Sequence, residues 1–452
     1  MHDTTSRPMR SARPTAPLAT PIDSSLAIPG DKSISHRALM FGALAVGETT
    51  ITGLLQGEDV LRTAAAMRAL GAEIQQDGLV WKVAGRGIGG LIEPQDVLDM
   101  GNSGTAARLL SGILASHPFF SVITGDASLR SRPMRRVSLP LAACGARITT
   151  RANGSLPMAI EGAREALPLD YDVPVPSAQV KSAVLLCGLN AAGITRVFER
   201  EATRDHSENM LRHFGAEVTV NEIGHGREIL LRGQPELRAA DVIVPGDPSS
   251  AAFPMVAALL VPGSRVLLRG VGLNPLRTGL FTTLREMGAA LTILNGRVEG
   301  GEEVGDILVE HIMLRAVDVP PERAPSMIDE YPILAVAAAS ARGITRMRGL
   351  KELRAKESDR LAATAAMLTA NGVKVEIEGD DLLVYGNGAP PPGGGLVVTH
   401  MDHRLAMSGL VFGLSTLDPV TIDDVTFVDT SFPGFTGLMN GLIAGAEALV
   451  AA

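Results

Sequence analysis

The chain has 452 residues, more than one hydrophobic core serves, so its length predicts two domains of about 200 residues each. A hydrophobic fraction of 46% beside 20% charged residues excludes a disordered chain. A net charge of -8 with 3% aromatics argues against nucleic-acid binding, which needs a basic face or stacking platforms. Residues 1–20 are rich in Thr, Pro, Ser and Arg and lack the apolar stretch of a secretory signal, so they read as a disordered tail.

From Pro29 onward the sequence repeats itself six times. The copies open at Pro29-Gly30-Asp31-Lys32-Ser33, Gly101-Asn102-Ser103-Gly104-Thr105, Pro174-Val175-Pro176-Ser177-Ala178-Gln179, Pro245-Gly246-Asp247-Pro248-Ser249, Ala324-Pro325-Ser326-Met327-Ile328-Asp329 and His400-Met401-Asp402-His403-Arg404. Each reads turn, apolar helix, short β-branched strand, second helix, strand. In the first copy these are a helix over 34–44, a strand over 49–52 and a second helix over 59–70, stopped by Gly71-Ala72. Equivalent Gly residues at 145, 215, 288, 372 and 445 follow at spacings of 74, 70, 73, 84 and 73 residues. Alternating helices and strands predict sheets covered by helices. The matching Pro-Gly-Asp turns mark crossings between domains, giving residues 21–30 plus 245–452 as one three-repeat domain and 31–244 as the other. Residues 388–395, with three Pro and four Gly, read as a loop.

Chemistry gathers at the openings, because helix starts offer unpaired N–H groups and a positive dipole end. The first places Lys32, Ser33 and Arg37 beside such a start, where they suit a phosphate or carboxylate. The second brings small residues around Gly104, with Arg108 one turn later. Between Ser128 and Arg136 four arginines fall in seven residues, and Pro133 limits the run to a short loop and helix start fitting one small anion. The third opening offers Ser177, Gln179 and the cation Lys181, followed by Thr203-Arg204. The fifth brings carboxylates, Asp329 and Glu330, and is followed by Lys351-Glu352-Leu353-Arg354-Ala355-Lys356-Glu357-Ser358-Asp359-Arg360. On a helix Lys356 and Arg360 would share a face as a like-charge pair, with Glu352 and Asp359 to compensate it. Taken singly, each of these also reads as an ordinary cap or a solvated helix face.

Other chemistries are not supported. Gly85-Arg86-Gly87-Ile88-Gly89-Gly90 fits G-x-G-x-x-G, but Pro94 follows and no helix pattern does. There is no P-loop signature and no nucleophile elbow. His400 and His403 lack companions for a metal, so no metal and no cofactor are expected. Cys144 and Cys187 lie in apolar runs and predict buried thiols in a reducing, cytoplasmic compartment, and no window reaches the roughly 18 apolar residues of a membrane span.

Taken together, Pro29-Gly30-Asp31-Lys32-Ser33-Ile34-Ser35-His36-Arg37, Gly101-Asn102-Ser103-Gly104-Thr105, Ser131-Arg132-Pro133-Met134, Leu353-Arg354-Ala355-Lys356-Glu357-Ser358-Asp359-Arg360 and Asp402-His403-Arg404 closely resemble the motifs of the 5-enolpyruvylshikimate-3-phosphate synthase family, from about residue 24 to the C-terminus. The resemblance implies a two-domain inside-out α/β barrel, six βαβαββ-type repeats with three per domain, and substrates bound in a cleft between domains. It implies transfer of the enolpyruvyl group of phosphoenolpyruvate to the 5-hydroxyl of shikimate 3-phosphate, by a monomer without nucleic-acid or membrane partners. By similarity, Lys32, Ser33, Arg37, Ser177, Ala178, Gln179, Arg204, Asp329 and Lys356 hold shikimate 3-phosphate. Lys32, Gly104, Arg132, Gln179, Arg360 and Arg404 hold phosphoenolpyruvate. Asp329 is the candidate base, Glu357 the candidate acid and Lys32 the stabiliser of the leaving phosphate; the two carboxylate roles could be exchanged.

The sequence departs from the commoner family pattern at Ser177-Ala178-Gln179, where many members have two serines. It departs again at Arg204, where others place a Tyr-bearing loop, and at Thr430-Ser431-Phe432-Pro433, which lacks a Lys before the Phe-Pro. These features resemble the family's second class, known for glyphosate tolerance. Tolerant members, however, carry an Ala at the Gly104 position, so this chain is expected to be inhibited. The rival reading is the related enolpyruvyl transferase acting on UDP-N-acetylglucosamine, which uses a Cys on a mobile loop.

Overall fold

The computed structural model describes residues 13–224 and 226–443. Five of the six opening turns act as helix caps. Asp31, Ser103, Ser177, Asp247 and Asp402 each accept a hydrogen bond from a backbone N–H of the following turn. The helices they start are Lys32–Leu44, Gly104–Ala115, Ala178–Gly188, Pro248–Leu260 and His403–Phe412; in the fifth copy Tyr331–Ser340 begins without a side-chain cap. These helices are apolar on every face and are buried along nearly their whole length, as central helices must be. The second helix of each copy ends as the Gly pairs predict: Gly71, Gly145, Gly215, Gly288 and Gly372 all have positive φ. Gly445-Ala446 lies outside the described residues.

Five four-stranded sheets occur among the described residues, all with one strand order. A short lead strand pairs in parallel with the strand after the opening helix, and that strand is followed outward by a hairpin. The sixth sheet has Leu396–Val397 and Val420–Ile422 from its own copy, and its third strand is Arg13–Thr15. This corrects the expectation of a disordered tail over residues 1–20 for its described part, from Arg13 onward. Arg13–Thr15 pairs antiparallel with Val420–Ile422 and covers an edge that would otherwise present unpaired backbone groups. Residues 1–12 lie outside the described residues.

The chain divides into two compact units. Unit 1 is Met1–Ile28, Asp247–Gly296 and Gly305–Ala452; unit 2 is Pro29–Gly246 and Arg297–Val304. Each has its own continuous apolar core, built on three opening helices. Within unit 2, Gly112 lets Gly104–Ala115 lie directly on Ala178–Gly188, since a Cβ there would stand 2.1 Å from the Ala183 carbonyl oxygen. The tip of one hairpin, Arg297–Val304, falls with unit 2, an assignment the turn pattern did not suggest.

Candidate active site

In unit 1 the carboxylates and cations of the last two copies converge on one guanidinium. Arg360, 1% exposed, donates from Nε to Asp402 Oδ2 (2.7 Å), from Nη1 to Asp329 Oδ1 (3.0 Å) and from Nη2 to Glu357 Oε2. Lys356 Nζ reaches the same Asp329 oxygen at 3.1 Å. Burial alone would push the Arg360 proton affinity down, but the charges of Asp402, Glu357 and Asp329 outweigh it and hold the guanidinium above its ordinary value. The group is therefore a fixed cation whose fork orients three acids.

The local structure corrects the helical reading of this segment. Lys351–Ala355 is a 3₁₀ turn, Lys356 is extended, and Asp359 caps a helix that starts only at Arg360. Lys356 and Arg360 thus share no helical face; they meet at Asp329 instead. Nor does Asp359 pair with Arg360, because Asp359 accepts from Ala362 N and Arg354 while Asp329, Glu357 and Asp402 face Arg360.

Asp402 links this hub to Arg404. Its Oδ1 accepts from Arg404 N at 2.9 Å, and the Arg404 side chain lies over the Phe253 ring at 5.9 Å with Nη1 3.8 Å from Glu330 Oε1. Glu330, 2% exposed, also accepts from Ser249 Oγ. Ser249 Oγ in turn accepts from Arg277 Nη2, which is paired with Asp247.

In unit 2 the polar residues of the first three openings interlock. Lys32 Nζ is 3.1 Å from Asp59 Oδ2. Arg37 is nearly fully buried and donates to Ser207 Oγ, Ser182 Oγ and the Ser33 carbonyl, and burial brings its proton affinity down to about 10 against the opposing charges of Glu208 and Asp31. A Cβ on Gly104 would stand 3.1 Å from Arg108 Nη1 and 3.3 Å from Arg132 Nη1. Arg132 is aimed by Asn102 Oδ1 (2.7 Å) and Ser128 Oγ, while Gln179 is clamped between Arg108 Nη1 (2.6 Å) and Thr105 Oγ1 (3.0 Å). Ser177 caps its helix through Val180 N at 3.4 Å, and Ser177, Ala178 and Arg204 are half-buried. His36, fully buried, bonds Thr63 Oγ1 at 2.7 Å and reaches Ser103 Oγ at 3.5 Å, tying the first opening to the second. Lys181 does not face a ligand: it is 1% exposed and sits 2.8 Å from both Glu199 and Glu208.

Sequence reasoning missed several partners of the candidate residues. The pairings of Lys32 with Asp59, 27 residues away, and of Ser249 with Glu330, 81 residues away, have no local signal. Among the described residues no group of three or more His, Cys, Asp or Glu side chains could hold a metal ion, and no helix is long and apolar enough to cross a membrane. Cys144 and Cys187 are both buried, so neither presents the exposed thiol that the UDP-sugar rival requires.

A family model described as EPSP synthase (3-phosphoshikimate 1-carboxyvinyltransferase) matches residues 18–439. The chain is 72% identical over 440 residues to the 3-phosphoshikimate 1-carboxyvinyltransferase of Granulibacter bethesdensis, covering 97% of this chain and 96% of that one. It is 69% identical to the enzyme of the same name from Acidiphilium cryptum, covering 98% of each. Among solved structures, an EPSP synthase from Acinetobacter baumannii superposes with a TM-score of 0.86 at 42% identity, over 97% of this chain and 99% of that one.

Proposed function

The chain belongs to the EPSP synthase family, and on that premise we propose how its residues divide the labour of the reaction. It is a 3-phosphoshikimate 1-carboxyvinyltransferase of the shikimate pathway, moving the enolpyruvyl group of phosphoenolpyruvate to the 5-hydroxyl of shikimate 3-phosphate with loss of phosphate. Both substrates are polyanions, and their repulsion grows as water is excluded. The reading assigns the compensation to cations and amide-rich helix starts. In unit 2, Lys32, Ser33, Arg37, Ser177, Ala178, Gln179 and Arg204 serve shikimate 3-phosphate, and Lys32, Gly104, Arg132 and Gln179 serve phosphoenolpyruvate. In unit 1, Asp329 and Lys356 serve the former, Arg360 and Arg404 the latter.

The chemistry needs a proton delivered to C3 of the enol and one removed from the attacking hydroxyl, then a proton taken back from C3 and one delivered to the departing phosphate as the tetrahedral intermediate collapses. Asp329 takes the hydroxyl proton, Glu357 delivers to C3, and Lys32 stabilises charge on the departing phosphate. The observation that carries this reading is that Arg360 holds Asp329 and Glu357 on two arms of one guanidinium. Two acids fixed at one cation can act in succession without reorganising. A phosphate-release assay with each acceptor offered separately tests it: release is expected with shikimate 3-phosphate and not with the UDP-sugar, and the reverse would overturn the assignment. The reading keeps a monomer in the cytoplasm, consistent with its free buried thiols.

A further inference from the structure

The fourth copy breaks the repeat. Its hairpin strands, Ala290–Glu299 and Glu302–Glu310, have 10 and 9 residues, against 5 and 5 in the first copy and 5 and 7 in the fifth. This excess makes up much of the longer 84-residue spacing between Gly288 and Gly372. The hairpin tip belongs to unit 2, and there Glu302 is 3% exposed.

Buried carboxylates are costly unless something specific receives them. Glu302 Oε1 accepts from His206 Nδ1 at 2.8 Å and from Asn209 Nδ2 at 3.3 Å. Because an ionised carboxylate can only accept, the hydrogen lies on Nδ1. His206 is the first residue of the helix His206–His213, whose preceding residue Asp205 makes no side-chain cap. The next residue, Ser207, accepts from Arg37 Nε at 2.8 Å and donates to Ser182 Oγ at 2.7 Å; Ser182 also accepts from Arg37 Nη2. On the other side of Arg204, the Thr203 carbonyl accepts from Lys181 Nζ at 3.2 Å and its hydroxyl bonds Glu199. Arg204 therefore stands between two buried clamps, one built on Lys181 and one on Glu302. Glu302 also acts through space on Arg37, favouring its charged form.

We propose that Glu302 is a positioning residue for shikimate 3-phosphate: the lengthened hairpin delivers a carboxylate that fixes His206, and through it the start of the helix that aims Ser207, Arg37 and Arg204. The inference rests on the roles given to Arg37 and Arg204 above.

Titration calorimetry with shikimate 3-phosphate alone, together with steady-state kinetics and melting curves, tests it. Glu302→Ala is expected to weaken shikimate 3-phosphate binding about tenfold and raise its KM equally, the loss of one charged hydrogen bond, with kcat and the phosphoenolpyruvate KM within about twofold. Glu302→Gln, which keeps an accepting oxygen, restores affinity to within about threefold of wild type. Glu302→Asp, the milder variant should Glu302→Ala fold poorly, weakens binding about threefold by withdrawing the carboxylate one methylene. Unchanged affinity in Glu302→Ala or Glu302→Asp overturns the proposal, as does a parallel loss in both KM values and kcat. Arg204→Ala separates the two levels. If it weakens shikimate 3-phosphate binding while Glu302→Ala does not, only the positioning role fails; if it binds normally, the site assignment beneath fails.

Discussion

Lys356 and Arg360 both donate to one oxygen, Asp329 Oδ1, at 3.1 and 3.0 Å. Two cations on a single carboxylate oxygen fix its direction, which a base for the 5-hydroxyl requires. The same guanidinium holds Glu357 and Asp402, so its loss strands three acids together. Arg360→Lys can satisfy only part of this fork. It is expected to destabilise the protein by about 3 kcal/mol or more, as breaking a buried ion pair does, and to abolish turnover. Denaturant melts and a phosphate-release assay check both.

A methyl on Gly104 would meet two guanidinium nitrogens, of Arg108 and Arg132, at tight distances. Gly104→Ala is expected to raise the phosphoenolpyruvate KM about tenfold, the scale of a small overpacking cost, while leaving the shikimate 3-phosphate KM near wild type. Glyphosate, larger than phosphoenolpyruvate, should inhibit the wild type at low concentration and Gly104→Ala far less. An inhibition constant for wild type far above its phosphoenolpyruvate KM would contradict this.

His36 is buried with its proton affinity pushed down from 6.5 to about 3, by burial first and then by Lys32 and Arg37. Between those values the unfolded chain binds a proton that the folded chain does not, so stability rises with pH across that window and falls as pH drops from 6.5 toward 3. The full effect is on the order of a few kcal/mol. His36→Asn should flatten the pH dependence of the unfolding free energy between pH 3 and 6.5; an unchanged slope would show that His36 is protonated in the fold.

Cys144 and Cys187 are buried, and Cys144 donates to the Ala115 carbonyl at 3.5 Å. Neither thiol has a part in the chemistry assigned here. Alkylating reagents should therefore leave the folded enzyme's activity intact under conditions that modify both thiols after unfolding. Rapid inactivation of the folded protein would revive the UDP-sugar reading.

What was legible in the sequence is what short-range chemistry decides. A Ser or Asp before an apolar run bonds an amide two or three residues away, so Asp31, Ser103, Ser177, Asp247 and Asp402 announce their helices. A Gly after the second helix must reach positive φ, so Gly71 and Gly288 announce its end. The site motifs were legible for the same reason, since Lys32, Gly104 and Arg360 each sit at a helix start. Pairings across large sequence distance were not. Nothing near Gln179 points to Arg108, 71 residues earlier, and nothing near Arg13 points to Ile422. Reading Lys356 and Arg360 on one helix failed because Asp359 takes the capping role and moves the helix start past Lys356.

Binding and chemistry separate most cleanly at Glu357, which pairs with Arg360 and is given a proton-transfer role without being assigned to hold shikimate 3-phosphate. Rapid-quench measurement of phosphate release by Glu357→Gln, alongside calorimetric binding of shikimate 3-phosphate, is the decisive comparison. The expected result is wild-type affinity with release slowed about a hundredfold or more, the range contributed by one general acid. Release at the wild-type rate, or lost affinity in a folded variant, would contradict the assignment of Glu357 as the proton donor.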